Sequence, residues 1–163
     1  MNAHEAIRGA LNTSQFLLNM YVGDMSDEDL MTRVCPKANH AAWQMGHLIA
    51  SENKILESIQ PGSSPTLPDG FMEKHNKDAA LIDDKANFVS KEVYLELFKE
   101  QREATLAVLD SLSAEDLSKP GPENLKRIAP TVGSALMFMA IHELTHSGQF
   151  VPLRRKLDKP VLI

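Results

Sequence analysis

Cysteine is nearly missing from these 163 residues: Cys35 is the single one, so no disulfide framework forms within the chain. It precedes Pro36 in an expected loop, and no basic partner stands beside it to draw out a reactive thiolate. No run of about 18 apolar residues is available to span a bilayer. The opening MNAHEAIRGA has neither the charged-then-apolar order nor the cleavage site of a secretory leader. The expectation is a cytoplasmic protein that makes no use of a membrane. Basic charge is also short, with 17 Lys and Arg against 22 Asp and Glu and a net charge of −5. A sequence-independent nucleic-acid binder would carry a basic stripe, so that class is excluded as a partner. Arg154, Arg155 and Lys156 do cluster, and they read as cations near a helix C-terminus.

Clean apolar/polar alternation is absent too, which leaves no candidate strand. Apolar residues instead recur at steps of three and four, and the chain reads as one all-α domain over residues 1–163. A first helix is expected from about His4 to Val22, with Ile7, Leu11, Leu18 and Tyr21 on one side. A second runs from about His40 to Ile59, where QPGSSPTLPDG ends it. Residues 71–89 carry only a weak pattern, suited to a short extra helix plus connection. Ser90 then caps a third helix reaching about Leu112, burying Tyr94, Leu97, Phe98, Thr105, Val108, Leu109 and Leu112. A fourth spans Thr131 to about Leu157. MSDEDL at 25–30 and LSAEDL at 112–117 repeat one arrangement, a serine cap opening a short helical turn ahead of a proline-containing loop and a histidine-bearing helix. Two such helix pairs predict a four-helix bundle, an architecture whose facing side chains commonly build metal sites.

The fourth helix carries the chemistry. Its inward stripe passes through Val132, Leu136, Met139, His142, His146, Phe150, Leu153 and Leu157, so two histidines stand where the pattern calls for leucine. Buried imidazoles are costly unless their nitrogens are satisfied, and two separated by one turn lie about 6 Å apart. Shared metal coordination satisfies both. HELTH at 142–146 matches the H-E-x-x-H of zinc peptidases. The downstream ligand of such an enzyme is missing, and the longer metzincin pattern fails because no histidine follows Gly148. A third histidine must come from upstream, among His4, His40, His47 and His75. Mid-helix His47 is the best candidate, with His40, on the same face, as runner-up ligand or supporting partner. Glu143 sits roughly 80° round the helix from the mean direction of the two histidines. It is read as a general base on metal-bound water, a carboxylate orienting an imidazole, or a solvated residue. On helix two the apolar arc of Met45, Leu48, Ile49, Ile55, Leu56 and Ile59 points well away from His47, while Trp43 and Ala50 share its side. Both faces are expected to be covered, one of them by something outside the bundle such as a second subunit, which suggests a homodimer.

The chain resembles the DinB/YfiT superfamily, small four-helix-bundle proteins with a metal site of three histidines. The resemblance runs through SDEDL, AAWQMGHLIASE, LPDGFMEKHNKDAA, SKEVYLELFKEQREATLAVL and, most specifically, TVGSALMFMAIHELTHSGQFVPLRRKLDKP. It implies that His47, His142 and His146 are the ligands, in a W-x-x-x-H and a final H-x-x-x-H segment. It further implies a metal-dependent transferase or isomerase using a low-molecular-weight thiol such as bacillithiol or mycothiol, and no DNA chemistry. Two departures stand out: Asp158 where the family usually has glycine, and Pro152, expected to interrupt the last helix. The function expected is an S-transferase or hydrolase acting on a small molecule, with zinc or nickel as the leading metals. A non-catalytic, stress-associated metal-binding bundle is the alternative. Ser51 and Lys54, on the His47 side of helix two, are candidate substrate contacts or plain surface residues.

Overall fold

The computed structural model describes residues 1–161, and among them are seven α-helices and no strand, with one isolated bridge between Pro120 and Thr131. Helix α1 (Ala3–Val22) opens on a capping box in which Asn2 accepts from the Glu5 amide and Glu5 accepts from the Asn2 amide. Ile7, Leu11, Leu18 and Tyr21 are buried as their spacing predicts, and so is Ser14. Short helices α2 (Asp27–Leu30) and α6 (Ala114–Ser118) start at Ser26 and Ser113, each with a capping box to the aspartate three residues on. The two acidic repeats therefore share one local geometry. Helix α3 (Ala41–Ile59) is capped by His40, α5 (Lys91–Ser111) by Ser90 and α7 (Val132–Lys156) by Thr131. Between α3 and α5 lie the expected extra helix, α4 (Phe71–Lys74), and two 3-10 turns, Lys77–Ala79 and Lys85–Asn87.

The four long helices close a ring in which α1 packs on α7, α7 on α3, α3 on α5, and α5 on α1. Side-chain pairs fix their directions. Ser14 meets Glu143 and Arg154 meets the Tyr21 carbonyl, so α1 and α7 run parallel. Asn53 meets Gln101 and Gln60 meets Ser111, so α3 and α5 are parallel as well. His4 at the Leu112 carbonyl and Arg102 at the Leu11 carbonyl make α5 antiparallel to α1. The interior falls into two apolar clusters, one around Leu18, Met45, Tyr94, Phe98 and Phe150, the other around Leu11, Leu56, Leu109 and Leu136.

Pro152 does not end the last helix as expected. Helix α7 continues through Pro152, because Pro152 and Gly148 both lie on its exposed face, where the Gly148 side of the helix is open to water. Asp158 occupies the left-handed region at φ 54°, the conformation for which glycine is suited, and aspartate tolerates it there while the Lys159 amide closes back on the Arg154 carbonyl at 2.9 Å. Arg154, Arg155 and Lys156 fill the last turn of α7 as expected, and Arg154 is in addition fully buried: it donates to the Tyr21 and Pro160 carbonyls and grips both oxygens of Asp24. The second face of α3 also has an internal explanation. The chain's own 64–82 segment covers it, with the Trp43 indole donating to the Asn76 carbonyl, Asn53 to the Pro65 carbonyl and Ser64 to the Asn53 carbonyl, each at 2.9 Å. No second subunit is required to bury it.

Candidate metal centre

Helices α3 and α7 bring His47, His142 and His146 together, with one nitrogen of each within 4.8 Å of the others. Ring centroids are 5.3 Å apart for His47 and His142, 5.4 Å for His47 and His146, and 4.8 Å for His142 and His146. One divalent ion would take about 2.1 Å to each nitrogen, so holding it would require the rings to move inward, a side-chain adjustment. The remaining histidines are elsewhere. His40 spends both nitrogens outside the cluster, Nδ1 accepting from the Trp43 amide at 3.1 Å and Nε2 donating to the Ile82 carbonyl at 3.0 Å. It is a helix cap, neither a ligand nor a supporting partner.

Two of the three rings are oriented as ligands are. His146 Nδ1 donates to Gln44 Oε1 at 2.9 Å, and the Gln44 amide is itself fixed because its Nε2 donates to the Asn39 carbonyl at 2.8 Å. His47 Nδ1 donates to the His75 carbonyl at 3.3 Å, while Trp43 stacks on the ring with centroids 4.7 Å apart. With Nδ1 protonated, Nε2 carries the lone pair for a metal. His142 is held by stacking on Phe138 at 5.7 Å. Gln44 went unremarked in the sequence, although its position one turn before His47 is the signal that would have found it. Gln44→Ala is expected to weaken metal affinity by about 10–100-fold at unchanged stoichiometry, measured by competition with a chromophoric chelator.

Burial keeps the imidazoles neutral, the form a metal needs. It pushes His142 down to about 4 and His146 to about 3, with neighbouring histidines adding repulsion, and it lowers His47, helped by the charges of Lys77 and Lys54. Buried His75 is likewise pushed down to about 4. Between an unfolded value of about 6.5 and these lower folded values the unfolded chain binds more protons. Stability is therefore full above about pH 6.5 and falls as pH drops toward 4. Glu143, raised by burial to about 7, works in the opposite direction but is one group against several. Urea midpoints of the metal-free chain are expected to fall on going from pH 7 to pH 5, and less so in the His142→Ala, His146→Ala double variant.

Glu143 is completely buried, so the solvated option is ruled out. Its Oε2 accepts from Arg102 Nη2 at 2.8 Å and from the Ser14 hydroxyl, and its Oε1 has no hydrogen-bond partner. Arg102 also makes a two-pronged pair with Glu52 at 3.0 and 3.1 Å, and Thr105 donates to Glu52 at 2.7 Å. One guanidinium thus faces two buried carboxylates. Arg102 is held firmly cationic by both, and the surplus negative charge falls on Glu143, whose burial then dominates and raises it. This network ties α1, α3, α5 and α7 together at mid-height.

His75, passed over as a ligand in favour of mid-helix His47, is a buried clasp. Its Nδ1 donates to the Phe71 carbonyl at 2.8 Å and its Nε2 accepts from the Tyr94 hydroxyl at 2.7 Å. The ring lies flat against Gly46, where an added Cβ would stand 2.0 Å from the His75 Cδ2. The residue whose carbonyl orients His47 is thereby fixed from three sides.

Comparison with known proteins gives two positive findings. The family model described as the DinB superfamily matches residues 10–150. The fold is similar to the crystal structure of a conserved protein from Enterococcus faecalis, with a TM-score of 0.71 at 18% identity, covering 95% of this chain and 96% of that one. No curated protein matches the chain in sequence.

Proposed function

This chain belongs to the DinB superfamily, and from that premise we propose that it is a metal-dependent enzyme acting on a small molecule, either an S-transferase using a low-molecular-weight thiol or a hydrolase. His47, His142 and His146 hold one divalent ion, zinc or nickel. The observation that carries this reading is the convergence of three neutral imidazoles within 4.8 Å, two with Nδ1 committed to oxygen acceptors. Three neutral ligands leave an ion its full charge and an open position, as in catalytic rather than closed structural sites. Such an ion would hold a thiol as thiolate or lower the pKa of a water toward about 7. The chain's own part is to keep the imidazoles unprotonated, fix their tautomers through Gln44 and the His75 carbonyl, and shield one side with the Trp43 ring. Peptide hydrolysis is not proposed, since among the described residues no strand lies beside α7 to align a peptide.

Glu143 is assigned an anchoring role instead of that of a base, because its bonded oxygen is committed to Arg102 and Ser14. That commitment also favours the second reading, a metal-binding protein without turnover. Exposed Phe16, Ile141 and Leu144 on the paired helices α1 and α7 support assembly as a homodimer. The test of function is a screen of electrophiles with several biological thiols, before and after chelation. Turnover lost on chelation and restored by metal supports the enzyme; turnover indifferent to chelation removes the metal from catalysis, and none with any pair favours the binding protein.

A further inference from the structure

A pocket of about 190 Å³ opens beside His47 and His75. Its apolar lining is Ala50 and Met72; its polar lining is Ser51, Lys54, Asn76 and Lys77, and no carboxylate is among them. Asn76 turns its Oδ1 to the amides of Asp78 and Ala79 at 2.9 and 3.1 Å, so the NH2 end of its side chain is the end left to donate. Among the described residues neither the Lys54 nor the Lys77 ammonium pairs with a carboxylate. The two cations come from separate elements, α3 and the 3-10 turn after α4, and meet at this opening. Cationic and donor groups gathered without an acid suit a ligand that brings acceptors and negative charge.

We propose that this pocket seats an anionic oxygen group of a small substrate, a carboxylate or phosphate held by Lys54 and Lys77, beside the three-histidine site where the other end of the molecule reacts. The last clause rests on the metal-enzyme reading; the anion subsite itself rests on the pocket. Ser51 and Asn76 supply hydrogen bonds, and Ala50 and Met72 accommodate a short carbon chain. The subsite restricts substrates to carboxylic acids or phosphate monoesters, and discriminates against neutral and cationic analogues of the same size.

Trp43 is the single tryptophan, stacked on His47 and bonded to the Asn76 carbonyl, so its emission reports on this corner. The full chain, zinc-loaded and chelator-treated, is titrated with succinate, with inorganic phosphate and with neutral succinamide. Saturable change with succinate or phosphate at a Kd at least about tenfold below that of succinamide is expected, and the tighter of the two names the group. The Lys54→Ala, Lys77→Ala double variant is expected to lose that preference, and the Lys54→Arg, Lys77→Arg variant to keep most of it. Equal, weak responses to all three probes, or an anion preference untouched by removing both lysines, would overturn the proposal. Metal content is measured on the same samples. A chain that takes up no metal yet binds anions through the lysines refutes the metal enzyme and leaves the subsite standing, whereas a metal-loaded chain without anion preference does the reverse.

Discussion

Arg102→Met is expected to be among the most destabilising single changes in the molecule, lowering the free energy of unfolding by about 3–5 kcal/mol at pH 7. The methionine is apolar and of comparable length, so packing is largely preserved and the loss is electrostatic. Glu52 and Glu143, 4% and 0% exposed, would face each other with no counter-charge, and the Leu11 carbonyl would lose its donor. The effect should shrink toward pH 5, where Glu143, raised by burial to about 7, takes up a proton. Adding Glu52→Gln and Glu143→Gln to Arg102→Met removes the buried charges together and should recover most of the stability. Urea unfolding of the single and triple variants at two pH values is the check. A change below about 1 kcal/mol for Arg102→Met would mean that the network is not buried as described.

Gly46→Ala should be destabilising by about 1–3 kcal/mol, although the same exchange in an ordinary helix interior gains up to about 1 kcal/mol. The sign is set by the His75 ring, whose Cδ2 lies 2.0 Å from the position of the new Cβ. The ring cannot step aside cheaply, being bonded at Nδ1 to Phe71 and at Nε2 to Tyr94. If it does shift, the His75 carbonyl moves with it and His47 loses its orienting acceptor. Metal affinity should then fall as well, and the zinc-induced rise in melting temperature should shrink. Thermal melts with and without zinc measure both effects; a Gly46→Ala protein more stable than the parent would contradict the clasp.

What could be read from the sequence was whatever depends on local spacing. The caps at Ser26, Ser90 and Ser113, the apolar stripe of α1 and the histidines standing in the α7 stripe are all set within one or two turns. His47 was found because it is mid-helix and sits in a family-like segment. Arg102 and Glu52 were passed over because charged residues in a helix look alike whether they face water or a partner across the bundle; only tertiary packing separates them. The 71–89 segment has too weak a pattern to reveal that His75 is 1% exposed, or that it covers the α3 face ascribed to a second subunit. Pro152 misled for a related reason: its cost depends on which face of the helix loses a bond, and this one faces solvent.

His47, His142 and His146 are proposed to form one metal site. Elemental analysis of the full chain, purified without an affinity tag and paired with the His142→Ala variant, tests it most directly. One divalent ion per wild-type chain is expected and almost none in the variant, with circular dichroism showing both still helical. A folded His142→Ala protein that keeps a full equivalent of metal would contradict it.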